Sequence, residues 1–103
     1  MNEDRHGVAI QKQVFADKVM SLLTPLVSGL GQTLGSNCEV VLHDFREPDA
    51  SIVAIAGSLT DRHVGGAMSE IGLDLLSRGD DAEDKVNYVV RTASGRTIKS
   101  SSI

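Results

Sequence analysis

Two short apolar runs close together, Cys38-Glu-Val-Val-Leu-His-Asp-Phe45 and Ser51-Ile-Val-Ala-Ile-Ala56, constrain this chain more than any other stretch. Both are rich in β-branched and aliphatic residues, and Arg46-Glu-Pro-Asp-Ala50 between them carries Pro-Asp turn chemistry. The pattern predicts an antiparallel hairpin with a five-residue loop. Side chains alternate along a strand, so Cys38, Val40, Leu42 and Asp44 share one face, and Glu39, Val41, His43 and Phe45 the other. With Phe45 opposite Ser51, the second strand adds Ile52, Ala54 and Ala56 to the first face, and Val53 and Ile55 to the second. Both faces are mostly apolar, so both need cover from elsewhere in the chain.

The first cover lies upstream. From about Ile10, Phe15, Val19, Leu22, Leu26, Leu30 and Leu34 recur at helical steps, with Leu23 and Val27 widening the stripe. Residues 1–9 read as a disordered start. Pro25 interrupts the helical segment 10–34: inside a helix it costs ~3 kcal/mol, whereas at a first helical position behind a Thr24 N-cap it is welcome. The segment is therefore two helices, about 11–23 and 25–34, or one helix kinked near Leu22. Gly35-Ser-Asn37 ends it.

Downstream, Gly57-Ser-Leu-Thr-Asp-Arg-His-Val-Gly-Gly66 is a glycine-flanked polar loop leading into a helix at 68–78. Met68, Ile71, Gly72, Leu75 and Leu76 fall on one face of that helix, Asp74 can pair with Arg78, and Gly79 is a stop. This 57–79 segment is the predicted cover for the second face. Val86–Ala93 and Arg96–Ser102 form a second hairpin about Ser94-Gly95. A two-residue turn there sets Val90 against Lys99 and Tyr88 against Ser101, with Lys99 on the face of Tyr88 and Val90. The order helix, two strands, helix, two strands makes residues 1–103 a single α+β domain on an antiparallel sheet. Ile103 follows directly on a strand whose edge has no visible cover, which predicts a truncated domain or an intersubunit contact.

Charge and cysteine usage narrow the function. With 14 acidic against 10 basic residues and no basic stripe, the chain is a poor phosphate binder by itself. The single Cys38 excludes an internal disulfide and fits a reducing, cytoplasmic compartment. Purely apolar runs fall far short of the ~20 residues that span a bilayer, so no membrane segment is expected. Cys38, His43 and Asp44 make a tempting nucleophile, base and orienter, but Cys38 and His43 point to opposite strand faces. His6, His43 and His63 show no metal-ligand spacing with Cys38, and Asp80-Asp-Ala-Glu-Asp84 lacks the spacing of a calcium loop. Gly65-Gly66 is not followed by the Lys-Ser/Thr of a phosphate loop. The sequence therefore predicts no enzyme, no metal and no cofactor.

Several stretches resemble the YheO-like PAS domain family. Pro25-Leu-Val-Ser-Gly-Leu-Gly-Gln-Thr-Leu-Gly35 runs into Cys38-Glu-Val-Val-Leu-His-Asp44, followed by Thr60-Asp-Arg-His-Val-Gly65 and Ser94-Gly-Arg-Thr-Ile-Lys-Ser100. The likeness covers roughly residues 20–103, with its pieces in order. The 57–62 loop is one residue shorter than the family pattern, with Asp61 where a glycine is usual. The resemblance implies a PAS-like antiparallel sheet lacking its last strands. It also implies a sensory and dimerisation domain of a bacterial transcriptional regulator, one that binds a small metabolite or partner and signals to a helix-turn-helix absent from this chain. The alternative is a ligand-free dimerisation module. Expected partners are a second copy and a small-molecule ligand, with DNA reached only through the absent domain and no membrane. The candidate ligand residues are His43, Thr60, Arg62, Tyr88, Lys99 and Ser100. A core histidine is the plainer reading of His43, as a solvated side chain is of Arg62 and Lys99.

Overall fold

A computed structural model describes residues 2–103, the side chains of residues 2–4, 71 and 80 excepted. The elements are α1 (Asn2–Leu34), β1 (Val40–His43), β2 (Ile52–Ala56), α2 (Glu70–Arg78), β3 (Lys85–Arg91) and β4 (Thr97–Ser102). The class is α+β, with two separate two-stranded antiparallel sheets, β1–β2 and β3–β4. The chain divides into two compact units, Met1–Met68 and Ser69–Ile103.

In the first unit α1 is one helix of 33 residues that runs through Pro25. The disordered start predicted for residues 1–9 is helical from Asn2, because no proline and only one glycine interrupts the sequence before Pro25. Thr24 does not cap a second helix: its hydroxyl donates to the Met20 carbonyl at 2.7 Å, the bond of a residue inside a helix. Packing compensates for the proline. The helix lies on β1 and β2, Val27 is buried, and a Cβ on Gly31 would collide with that of Ala56. The helix beyond Pro25 is thus held flush to the sheet. By length and composition alone, Arg5–Leu34 also suffices to cross a membrane, which the short apolar runs did not predict.

The β1–β2 register follows the prediction from Val40↔Ala56 to Leu42↔Ala54 and then shifts, so that His43 opposes Ile52. Phe45 and Ser51 do not pair. Asp44 N–H donates to the Ser51 carbonyl at 2.7 Å instead, and a 3-10 turn at Pro48–Ala50 closes the loop. The bulge absorbs one extra residue of β2 and redirects the strand end. The outer edge of β2 is not left free. Gly65 N–H donates to the Ile52 carbonyl at 2.8 Å, and Ile52 N–H to the Gly66 carbonyl at 3.1 Å. This short backbone patch occupies part of the β2 edge, and the single predicted sheet is two, β1–β2 and β3–β4. Among the described residues, Val27, Ile52, Ala54 and Met68 are the buried apolar ones.

In the second unit Ser69 caps α2 by accepting from Gly72 N–H, and Gly79, at φ 58°, ends it with its N–H on the Leu76 carbonyl. The predicted Asp74–Arg78 pair forms at 3.1 Å. The side chain of Ile71, assigned to the apolar face, lies outside the described residues. The β3–β4 turn has three residues, not two: Thr92 N–H donates to the Arg96 carbonyl and Gly95 N–H to the Thr92 carbonyl, at 2.8 and 2.9 Å. Gly95 supplies the positive φ, 85°, that such a turn requires. The register moves by one, to Tyr88↔Ser100, Val89↔Lys99 and Val90↔Ile98.

Candidate functional site around His43

His43 ends β1 at the bulge. Its Nδ1 lies 2.8 Å from the Ser51 hydroxyl, and Ser51 is fully buried. The Phe45 ring stands tilted at 6.3 Å between centroids. Half-burial, and then the positive charge of Arg62, hold the imidazole below its ordinary 6.5. At neutral pH the ring is therefore uncharged, with Nδ1 committed to Ser51. Nε2 has no protein partner among the described residues, so it is free to donate or accept according to the tautomer.

The polar loop beside this ring is pinned at both ends. Glu39 accepts from Thr60 twice, from N–H at 2.9 Å and from the hydroxyl at 2.7 Å. At the other end Gly65 and Gly66 bond Ile52, and Met68 N–H reaches the Pro48 carbonyl at 3.2 Å. Between the anchors Asp61, Arg62, His63 and Val64 are exposed. Thr60 is a positioning residue here, since both of its donors are spent on Glu39. Arg62 is the exposed cation whose field reaches His43.

The sequence missed Glu39 and Ser51. Glu39 left one signal: it is the lone acid on the predicted face of Val41, His43 and Phe45, and a half-buried carboxylate needs a donor. Ser51 left none beyond its place at a strand start.

The remaining candidates lie in Ser69–Ile103. Tyr88 and Ser100 do oppose each other, but Lys99 opposes Val89, so Lys99 is on the other face from Tyr88 and Val90. The three-residue turn is the cause of that reversal. Tyr88 is also occupied: its hydroxyl lies 2.6 Å from the Ser102 hydroxyl, and the Lys85 ammonium sits 4.8 Å above its ring.

The Cys38–His43–Asp44 trio does not assemble. Asp44 is bound by Arg46 through Nε at 3.0 Å and Nη2 at 2.7 Å, and that contact lowers its carboxyl pKa. Arg46 also reaches Asp17 of α1 at 2.9 Å, tying the hairpin loop to the helix. Among the described residues no three His, Cys, Asp or Glu side chains are grouped to hold a metal.

The His43 shift sets a pH dependence. Its folded pKa is lowered below 6.5, so its contribution to stability is complete above about pH 6.5 and is lost as pH falls through the folded value. Asp44 titrates well below that window. Melting temperature should fall between pH 7.5 and 5, and His43→Gln should flatten the slope. An equally steep slope in the variant would assign the effect elsewhere.

The family model described as YheO-like PAS domain matches residues 15–103. The chain is 35% identical over 81 residues to the uncharacterized protein YheO of Escherichia coli (strain K12), and equally to those of Escherichia coli O6:H1 and Shigella flexneri. The match covers 76% of this chain and 34% of each relative, so the chain spans about a third of their length. No solved structure matches significantly.

Proposed function

The chain belongs to the YheO-like PAS domain family of sensory and regulatory domains, and from that premise we propose that it is the ligand-sensing part of a bacterial transcription regulator. One observation carries the ligand assignment: an uncharged His43, with Nε2 open, lies within the field of an exposed loop arginine. A small metabolite bearing a carboxylate suits that pair. Its anionic group would meet Arg62 in a charge-assisted hydrogen bond, and a second polar atom would meet Nε2 of His43.

The loop supplies the response. Residues 57–66 are held by four hydrogen bonds, two at Thr60 and two at Gly65 and Gly66. A ligand bridging Arg62 and His43 favours the loop arrangement in which both are reached, shifting the population toward it. The signal passes to a DNA-binding domain carried in cis outside these residues. No covalent step is needed, and the reading is non-enzymatic.

Differential scanning of the chain against amino acids and small organic acids tests this. A ligand at a hundredfold its Kd adds about 2.7 kcal/mol, raising Tm by roughly ten degrees or more. Arg62→Ala and His43→Ala should abolish the shift. No stabilisation by any acid, or equal stabilisation of Arg62→Ala, removes the ligand reading and leaves an interaction module.

A further inference from the structure

We propose that Arg46 is a latch and Pro25 a hinge, so that the half of α1 before Pro25 is a lever held against the β1–β2 hairpin by one side chain. The hinge follows from the ring. Pro25 has no N–H to offer the Ser21 carbonyl, and a proline in mid-helix is where helices bend. Beyond it the helix is fixed, with Val27 buried and Gly31 against Ala56. Before it, from Arg5 to Thr24, no residue is buried, and only Gly7, Ala16, Val19, Met20 and Leu23 are half-buried.

Polar ties to that half come from one place. Among the described residues, the bonds that reach it from another element are those of Arg46, whose Nη1 donates to the Asp17 carboxylate at 2.9 Å and to the Gln13 carbonyl at 3.4 Å. The two ends of the bridge are unequal. Asp44, 14% exposed, holds the guanidinium through Nε at 3.0 Å and Nη2 at 2.7 Å, and accepts from the Arg46 N–H as well. Asp17, 60% exposed, is met by Nη1 alone. A two-pronged contact with a carboxylate is the strong kind, whereas a single exposed one competes poorly with water and salt. The latch therefore opens at α1 and leaves Arg46 on the hairpin. A weak closure suits a switch, because a small input then decides between its two states.

The input lies next to the anchor. Ser51 is a fully buried pivot. Its carbonyl accepts from the Asp44 N–H at 2.7 Å, and its hydroxyl lies 2.8 Å from Nδ1 of His43. The ring of the candidate site and the carboxylate that anchors the latch thus hang on one residue, and a shift of either is felt by the other. A closed latch holds His43 in place for an acid, and a bound acid in turn holds the latch closed. That coupling rests on the sensor reading, whereas the lever itself needs no ligand.

Pulsed electron spin resonance on the whole chain tests the lever. Labels go on His6→Cys and Asp49→Cys in a Cys38→Ser background, diluted in unlabelled chain so that only distances within one chain are read. His6 lies about 28 Å along the helix axis from Pro25, so a bend of about 20° carries it roughly 10 Å. Asp17→Asn removes only the weak end and should broaden the distance distribution on that scale, as should Arg46→Ala. Adding Pro25→Ala to Arg46→Ala should narrow it again, because the hinge regains its N–H. A label on Ser28→Cys in place of His6→Cys should stay put in every variant. Distances indifferent to both Asp17→Asn and Arg46→Ala overturn the latch, and a release that survives Pro25→Ala overturns the hinge. The coupling has its own readout. For an acid that stabilises the chain, Asp17→Asn should raise Kd about fivefold or more, and by reciprocity the acid should narrow the distances in Asp17→Asn. Equal affinity overturns the coupling. A chain that binds no acid loses the sensor reading and the coupling with it, while the label distances still decide the latch.

Discussion

Ile52→Ala lowers the free energy of unfolding by about 2–5 kcal/mol, a large share of the ~5–15 kcal/mol that holds a domain folded. Ile52 is 2% exposed, and among the described residues the only other buried apolar ones are Val27, Ala54 and Met68. A cavity there has little material around it to collapse inward. The site is also a backbone junction, since Ile52 N–H and C=O hold Gly66 and Gly65. A Cβ on Gly66 would stand only 3.2 Å from the Ile52 Cδ1, so side chain and loop meet closely. Urea unfolding gives the magnitude, and amide exchange at Gly65 should accelerate along with it. Val89→Ala, at a residue 70% exposed, is the control and should stay within about 0.5 kcal/mol. Equal costs for the two would mean that the first unit is not organised around Ile52.

The same residue shows what could be read in advance. Alternation grouped Ile52 with Ala54, and both are buried, although the residue opposite Ile52 is His43 and not Asp44. The hairpin, α2 with its Gly79 stop and the Asp74–Arg78 pair were readable for similar local reasons; the Ser69 cap was not. Nor was the bulge at His43, because one extra residue in β2 leaves the apolar pattern almost unchanged while altering what His43 stands opposite. Lys99 failed the same way: a two-residue and a three-residue turn both fit Ala93-Ser94-Gly95, yet they send Lys99 to opposite faces. Pro25 failed differently. Its local cost was read correctly, but whether the sheet contact compensates is a tertiary fact carried by Gly31 and Ala56. In the candidate site, His43 and Arg62 could be named as candidates from sequence because their chemistry is visible in their side chains. Glu39 and Ser51, which hold the loop and the ring, act through partners distant in sequence or buried from view.

Gly57→Ala costs roughly 2–6 kcal/mol and releases the candidate ligand loop. Two penalties fall on one methyl group. The backbone at Gly57 has φ 93°, where an L side chain is strained by about 1–3 kcal/mol. The added Cβ would also strike the Cys38 carbonyl oxygen and lie 3.1 Å from the Glu39 Cα. Those are backbone atoms with no rotamer to yield, so relief requires shifting the chain that enters β1, at about 1–3 kcal/mol more. Glu39 moves with that backbone, and its carboxylate holds both donors of Thr60. The loop would then lose its first anchor while Gly65 and Gly66 keep the second. Gly35→Ala separates the two penalties, because Gly35 has φ 87° with nothing near its missing Cβ and bears the strain alone. Gly57→Ala should therefore be the more costly in urea, and only it should deprotect the Thr60 amide in hydrogen exchange. Equal costs with Thr60 still protected would show that β1 does not support the loop. A ligand-induced Tm shift that disappears in Gly57→Ala but persists in Gly35→Ala would make the Glu39–Thr60 clamp the part of the fold that keeps Arg62 within reach of His43.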